Sequence, residues 1–288
     1  MKIIIWGHPL HKSTHSYIHN AYYKAFKHLG HEVYWVPEHV DNMSFNDEVV
    51  FFVEDSQKQG MPLLKNAKYI THHVDTSYLT NNGVPFENVL KLGNYIELIE
   101  NFEKITDQVY WDKDTRTIYQ CWGTDLLPHE INTDDYVRFD PNAKDLNYVA
   151  MLYDELPWWA NQFANLIKQN HNVDFKVYTQ HVSDSDNRSL IRKSFLCPDF
   201  RNDWHLQCGY IPCRIFKNIS YGRIQGTNSP FVKRMFGDHV VFGGTPQTLY
   251  NNLLQAEKHN KIDMKNAMQF VKDKHTYVNR VKMLLKFL

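Results

Sequence analysis

Apolar positions in this chain follow two rhythms, and the first appears at once. Lys2-Ile3-Ile4-Ile5-Trp6 is a short continuous apolar run, the pattern of a strand buried on both faces of a parallel sheet. From Ser16 to Leu29 the spacing changes to three and four, through Ile18, Ala21, Tyr22, Ala25, Phe26 and Leu29, which predicts an amphipathic helix closed by Gly30. Glu32 to Val36 returns to strand character, so the opening is a strand, a helix and a strand. Val49 to Val53, Lys68 to Thr71 and Thr117 to Trp122 read as further strands, while 89–110 carries no clear period. Residues 128–146 are rich in Asp, Asn and Pro and read as a linker.

The pattern restarts at Asn147. Asn147 to Leu152, Asp174 to Tyr178, Ser194 to Cys197, Arg223 to Gln225 and His239 to Phe242 read as strands. Helices are expected after Pro157, after Pro246 and from Asp263 to Leu288, the last broken near His275-Thr276-Tyr277. Between Pro212 and Gly222 lies a short helix with both ends marked. Pro212 suits its first position, Gly222 the left-handed residue beyond it, and Ile211, Ile215, Phe216 and Ile219 form a buried face. The expected fold class is α/β, with two Rossmann-like domains facing each other across a cleft. The expected domains are 1–145, 146–272 and a C-terminal helical segment, 273–288, returning to the first domain.

Composition narrows the chemistry. With 288 residues, 43% hydrophobic and 22% charged, the chain is long enough for two cores. Lys plus Arg and Asp plus Glu are equal at 32 each, so no global field draws it to nucleic acid or an anionic membrane, and nucleic acid is not expected as a partner. Its four cysteines lack C-x-x-C spacing, and no stretch is apolar enough to span a membrane; the expectation is a cytoplasmic protein with reduced thiols and no metal site.

Candidate residues cluster where strands end. In open α/β sheets ligands bind beyond the carboxyl ends of strands, which singles out His72, His73 and Asp75 after one strand and His8, His11, Lys12 and His15 after the first. Arg214 and Lys217 lie near the start of the marked helix, whose exposed N–H groups carry partial positive charge; together they suit a phosphate. Asp184-Ser185-Asp186 is the alternative, an Asp-x-Asp pair for a divalent ion, although no apolar strand leads into it.

Three places carry a sharper likeness. Trp122-Gly123-Thr124-Asp125-Leu126-Leu127-Pro128, the span from Cys197 to Pro230, and His275-Thr276-Tyr277 with Arg280 together resemble glycosyltransferases of the GT-B fold, group 1 (family 4 type), in the branch that includes spore-maturation proteins. The resemblance implies metal-independent transfer of a sugar from a nucleotide-sugar, a UDP- or GDP-sugar, to a carbohydrate or glycan acceptor, with no further cofactor. It implies that Tyr210, Ile211 and Cys213 offer backbone groups to the donor, Arg214 and Lys217 charge, Thr227, Asn228 and Ser229 further polar contacts, and Asp199 and Arg201 the facing wall. His73, or His72 beside it, would touch the transferred sugar, and Asp75, His8, His11, His72 or His73 would serve as base for an inverting reaction. Where the family carries two glutamates eight positions apart, this chain has Gly209 and Lys217. Lysine cannot accept ribose hydroxyls as a carboxylate does, which leaves it phosphate. A sugar-nucleotide epimerase and a non-catalytic nucleotide-sugar binder fit the same features.

Overall fold

The computed structural model describes residues 1–6, 14–36, 48–54, 62, 64–73, 94–99, 109–152, 154–180 and 182–288. They divide into two compact units, Met1–Leu127 with Thr276–Leu288, and Pro128–His275.

The first unit is built on a seven-stranded sheet. Its strands are β1 (Lys2–Trp6), β2 (Glu32–Val36), β3 (Val49–Glu54), β4 (Lys68–His73), β5 (Tyr95–Ile99), β6 (Tyr110–Asp112) and β7 (Thr117–Tyr119), in the order β2-β1-β3-β4-β5-β7-β6. All pairings are parallel except β6 with β7. The continuous apolar runs explain the centre of this sheet: Ile3 to Trp6 and Phe51 to Val53 are fully buried, because both faces are covered. Helix α1 (Thr14–His28) lays the expected stripe of Ile18, Ala21, Tyr22, Ala25 and Phe26 into the core. Gly30 ends it with φ +82°. Strand β5 lies within the stretch whose period was ambiguous.

In the second unit the elements are β8 (Asp145–Val149), α2 (Leu156–His171), β9 (Asp174–Tyr178), α3 (Asp184–Arg192), β10 (Cys197–Asp199), α4 (Asp203–Cys208), α5 (Cys213–Ser220), β11 (Gln225–Thr227), α6 (Pro230–Phe236), β12 (Val240–Phe242), α7 (Pro246–Lys258) and α8 (Met264–Lys274). Strands β8 and β9 pair in parallel, as do β10, β11 and β12. The Phe195 N–H donates to Asp145 O (2.8 Å) and the Asn147 N–H to Ser194 Oγ (2.9 Å), which sets β8 beside the chain entering β10. The chain thus leaves β8 on one side for β9 and returns on the other for β10. Such a reversal opens the crevice in which α/β sheets take ligands, at the carboxyl ends of the two flanking strands.

One expectation about the path of the chain changes. Residues 128–144, part of the stretch 128–146 read as a linker, pack with the second unit: Ile131 is buried, Lys272 Nζ donates to Ile131 O (3.0 Å), and the Val137 N–H donates to Gly222 O (2.9 Å). Polar composition marked the lack of regular structure, not the lack of contacts. The final helix, α9 (Tyr277–Leu284), belongs with the first unit. Thr276 and Asn279 form its capping box. Buried Arg280 donates from Nε to Cys121 O (2.7 Å) and from Nη2 to Trp122 O (2.9 Å), while the Tyr277 ring lies 4.7 Å from that of Tyr22. Among the described residues no helix is long and apolar enough to cross a membrane.

Candidate functional site

Helix α5 begins one residue later than the sequence suggests. Pro212 is its cap (φ −74°, ψ 150°) and not its first helical residue, and no side chain caps this end. Proline has no hydroxyl or carboxylate to offer the first-turn N–H groups; the Ile215 N–H turns back to Pro212 O (3.2 Å), and the helix start carries partial positive charge. Ile215, Phe216 and Ile219 bury the opposite face completely. Gly222 follows the helix with φ +84°.

Beside this helix two cations gather on one acid. Asp199, the last residue of β10, is wholly buried, and its Oδ1 accepts from Arg201 Nη2 at 2.6 Å and lies 3.9 Å from Arg214 Nη1. The Arg214 guanidinium sits 3.9 Å from the ring centroid of Tyr148 and donates through Nη2 to Val149 O (2.8 Å), at the end of β8. Arg214 and Asp199 therefore span the ends of β8 and β10, where the strand order reverses. Lys217 lies one turn further along α5 and is also buried. Arg201 and Arg214 set two fixed cations against the one Asp199 carboxyl, an excess of positive charge. Burial pushes the Asp199 carboxyl above its usual range, while Arg201 and Arg214 pull the other way.

The neighbouring groups are less available for chemistry. His205, 3% exposed, packs 4.7 Å from the Tyr210 ring, and burial, with Arg201 adding to it, pushes its pKa down to about 3. A neutral imidazole at all working pH values is a packing group, not a proton carrier. Burial drives the Cys197 thiol up to about 11, so it is inert. Ile211 is buried, and Tyr210 and Cys213 are partly exposed.

Thr227 ends β11, with Asn228 and Ser229 directly after it, and their side chains are engaged within the protein. Thr227 Oγ1 accepts from the Ser229 N–H (3.0 Å), and Ser229 Oγ caps α6 through the Val232 N–H (3.4 Å). Asn228 Oδ1 accepts from the Arg201 N–H (2.8 Å), and its Nδ2 donates to Arg201 O (2.9 Å).

In the first unit, His72 is wholly buried, with ring centroids of His19, Trp122 and Phe52 at 5.5, 5.9 and 6.0 Å. Its ring is part of the packing between α1 and the sheet, which corrects its reading as a group open to a sugar. His73 ends β4, but its side chain lies outside the described residues, as does that of His15. His8, His11, Lys12 and Asp75 lie outside them altogether. Asp184-Ser185-Asp186 forms the first turn of α3, with Ser183 Oγ accepting from the Asp186 N–H (3.1 Å) and donating to Asp186 Oδ2 (2.6 Å). That pair serves a helix end. Among the described residues no group of His, Cys, Asp and Glu is arranged to hold a metal ion.

Sequence reasoning did not single out Tyr148, the ring beneath Arg214, or Asn202, which caps α4 through the His205 N–H (2.9 Å) and donates to Asp154 Oδ2 (3.1 Å). Asn202-Asp203 ahead of a helical stretch is a capping signal that marks the second; nothing local marks the first.

No family model matches the chain, and no curated protein matches its sequence. Solved structures do match. An alpha-glucosyltransferase in complex with UDP and a 13-mer DNA containing an HMU base superposes with a TM-score of 0.65 at 10% identity, over 99% of this chain and 98% of that one. The alpha-glucosyltransferase in complex with UDP-glucose and DNA containing an abasic site gives 0.63 at 9% identity, over 99% and 98%. An alpha,alpha-trehalose-phosphate synthase (UDP-forming) from Burkholderia xenovorans gives 0.51 at 10% identity, over 95% and 78%. The fold of this chain is therefore that of the GT-B glycosyltransferases. The same finding overturns the exclusion of nucleic acid, because structures that share this fold over nearly the whole chain hold DNA. A zero sum of charges says nothing about how they are distributed, and phosphate contacts are local.

Proposed function

We propose that this protein is a glycosyltransferase that moves a sugar from a nucleotide-sugar donor to an acceptor hydroxyl, in the family 4 type and nearest its spore-maturation-like branch. The observation that carries the reading is the placement of Arg201 and Arg214 on buried Asp199 at the ends of β8 and β10, beside the uncapped start of α5. As the glycosidic bond breaks, negative charge builds on the departing diphosphate. Guanidinium groups already fixed in place lower the energy of that state without having to reorganise, and a single such contact is worth on the order of 100-fold in rate. Lys217 and the α5 amides add to the same field, so these groups provide the countercharge that a divalent ion provides in other transferases.

UDP is the first nucleotide to test, GDP the second. Duplex DNA bearing a hydroxymethylated base is the first acceptor to test. Deprotonation of the acceptor falls to the first unit, at His73, Asp75, His8 or His11, and alanine substitution of each in turn ranks them.

In the direct test, sugar transfer from UDP-glucose is followed by product mass. Arg214→Ala is expected to lower the rate on the order of 100-fold or more with an unchanged circular dichroism spectrum, and wild-type rates in that variant would end the assignment. Transfer is expected to continue in excess EDTA; loss of activity there would return the reaction to a metal-dependent mechanism. Conversion of the donor to an isomer with no acceptor present would make the protein an epimerase instead.

A further inference from the structure

Asn228 was expected to contact the donor, but both ends of its amide are taken by one other residue. Its Oδ1 accepts the Arg201 N–H at 2.8 Å and its Nδ2 donates to the Arg201 carbonyl at 2.9 Å, with Asn228 itself 4% exposed. Strands β10 and β11 pair through Cys197 with Gln225, Pro198 with Gly226 and Asp199 with Thr227. Backbone pairing stops there. Arg201 lies two residues past the end of β10, and Asn228 one residue past the end of β11. The Asn228 side chain thus continues the ladder where the two backbones diverge, presenting an acceptor and a donor as a neighbouring strand would. Few side chains offer both in that geometry: aspartate lacks the donor when ionised, serine reaches one group, and glutamine is a methylene too long.

What this clamp holds is the cation nearest Asp199. With its backbone gripped at N–H and C=O, Arg201 has little freedom beyond its side chain, and that is fixed in turn by the 2.6 Å bond to Asp199. We propose that Asn228 is a positioning residue, which touches no donor atom and acts on the donor diphosphate only through Arg201. The inference rests on the reading of this site as a nucleotide-sugar site. It reassigns Asn228 from ligand contact to the part that keeps a cation in place before the ligand arrives, which reduces the ordering cost of binding.

A double-mutant cycle separates this role from direct contact and from general damage. UDP affinity is measured by calorimetry for wild type, Asn228→Asp, Arg201→Ala and the double variant, at temperatures well below each melting point. Asn228→Asp is expected to weaken UDP on the order of 10-fold at pH 8 in the wild-type background and not at all in the Arg201→Ala background, because the pathway runs through Arg201. On lowering the pH towards 5 the introduced carboxyl gains a proton that it can donate to Arg201 O, and the ratio of variant to wild-type affinity, measured at the same pH so that protonation of the UDP phosphate cancels, is expected to recover towards one. Should Asn228→Asp fail to fold, Asn228→Ser, which keeps one of the two bonds, is carried through the same cycle with an intermediate loss expected. An equal loss in both backgrounds overturns the inference while leaving the nucleotide site in place. No binding of UDP or GDP by the wild type overturns the reading of the site, and the inference with it.

Discussion

Single residues in the second unit are pulled between burial and charge, and the balance decides what each can do. His205 shows it most simply. In the folded protein its pKa is pushed down to about 3, whereas in an unfolded chain it titrates near the ordinary histidine value of 6.5. Between those values the unfolded chain carries a proton that the native site refuses, so stability is fully present above the unfolded value and is lost as the pH falls through the window below it. Thermal melts from pH 7 to pH 4 are expected to show a falling midpoint that flattens in His205→Gln; an identical slope in both proteins would contradict the assigned burial. Arg214 and Lys217 stood out as candidates for an anion site because they lie one turn apart on a short marked helix. Tyr148 was not, since a strand residue 66 positions earlier meets Arg214 only when β8 and α5 are packed together.

At the scale of elements, α5 depends on what closes it as much as on what opens it. Gly222 takes a left-handed conformation, and a Cβ there would meet Tyr136 Cα at 2.7 Å and Asp135 O at 2.9 Å. Both costs fall on backbone atoms, which cannot rotate away. Gly222→Ala is expected to destabilise the second unit by roughly 2 kcal/mol or more, seen as a lower denaturant midpoint; an unchanged midpoint would mean that the segment 135–137 yields freely. The glycine was readable in advance as a helix stop, yet its second task was not, because it depends on a segment read as a linker. Element boundaries show the same division. Apolar periodicity located α1, α2 and α7, whose buried stripes are long, whereas α4 and the three-residue strands β10 and β11 are too short to repeat a pattern and are held by neighbours.

For the whole molecule, the division into two compact units gives a calorimetric expectation. The cationic site belongs entirely to Pro128–His275, so a nucleotide bound there stabilises that unit, by about 2.7 kcal/mol at 100 times the dissociation constant. Differential scanning calorimetry with UDP is expected to resolve two transitions and to move one of them; a uniform shift of a single transition would show that the units unfold together. The overturned exclusion of nucleic acid also belongs at this scale, since net charge sums over positions that only folding brings near one another or keeps apart. From the order of residues alone came the α/β class, the restart near Asn147, the marked helix and its cations, and the break before the last helix, because each is written in contacts between residues near in sequence. Only the folded chain revealed that Arg201 and Arg214 share Asp199, that Asn228 grips Arg201, that His72 is interior and which contacts hold α9 in the first unit. Those facts rest on pairs far apart in sequence, such as Arg280 and Cys121, 159 residues apart, and such pairs leave no local period to read.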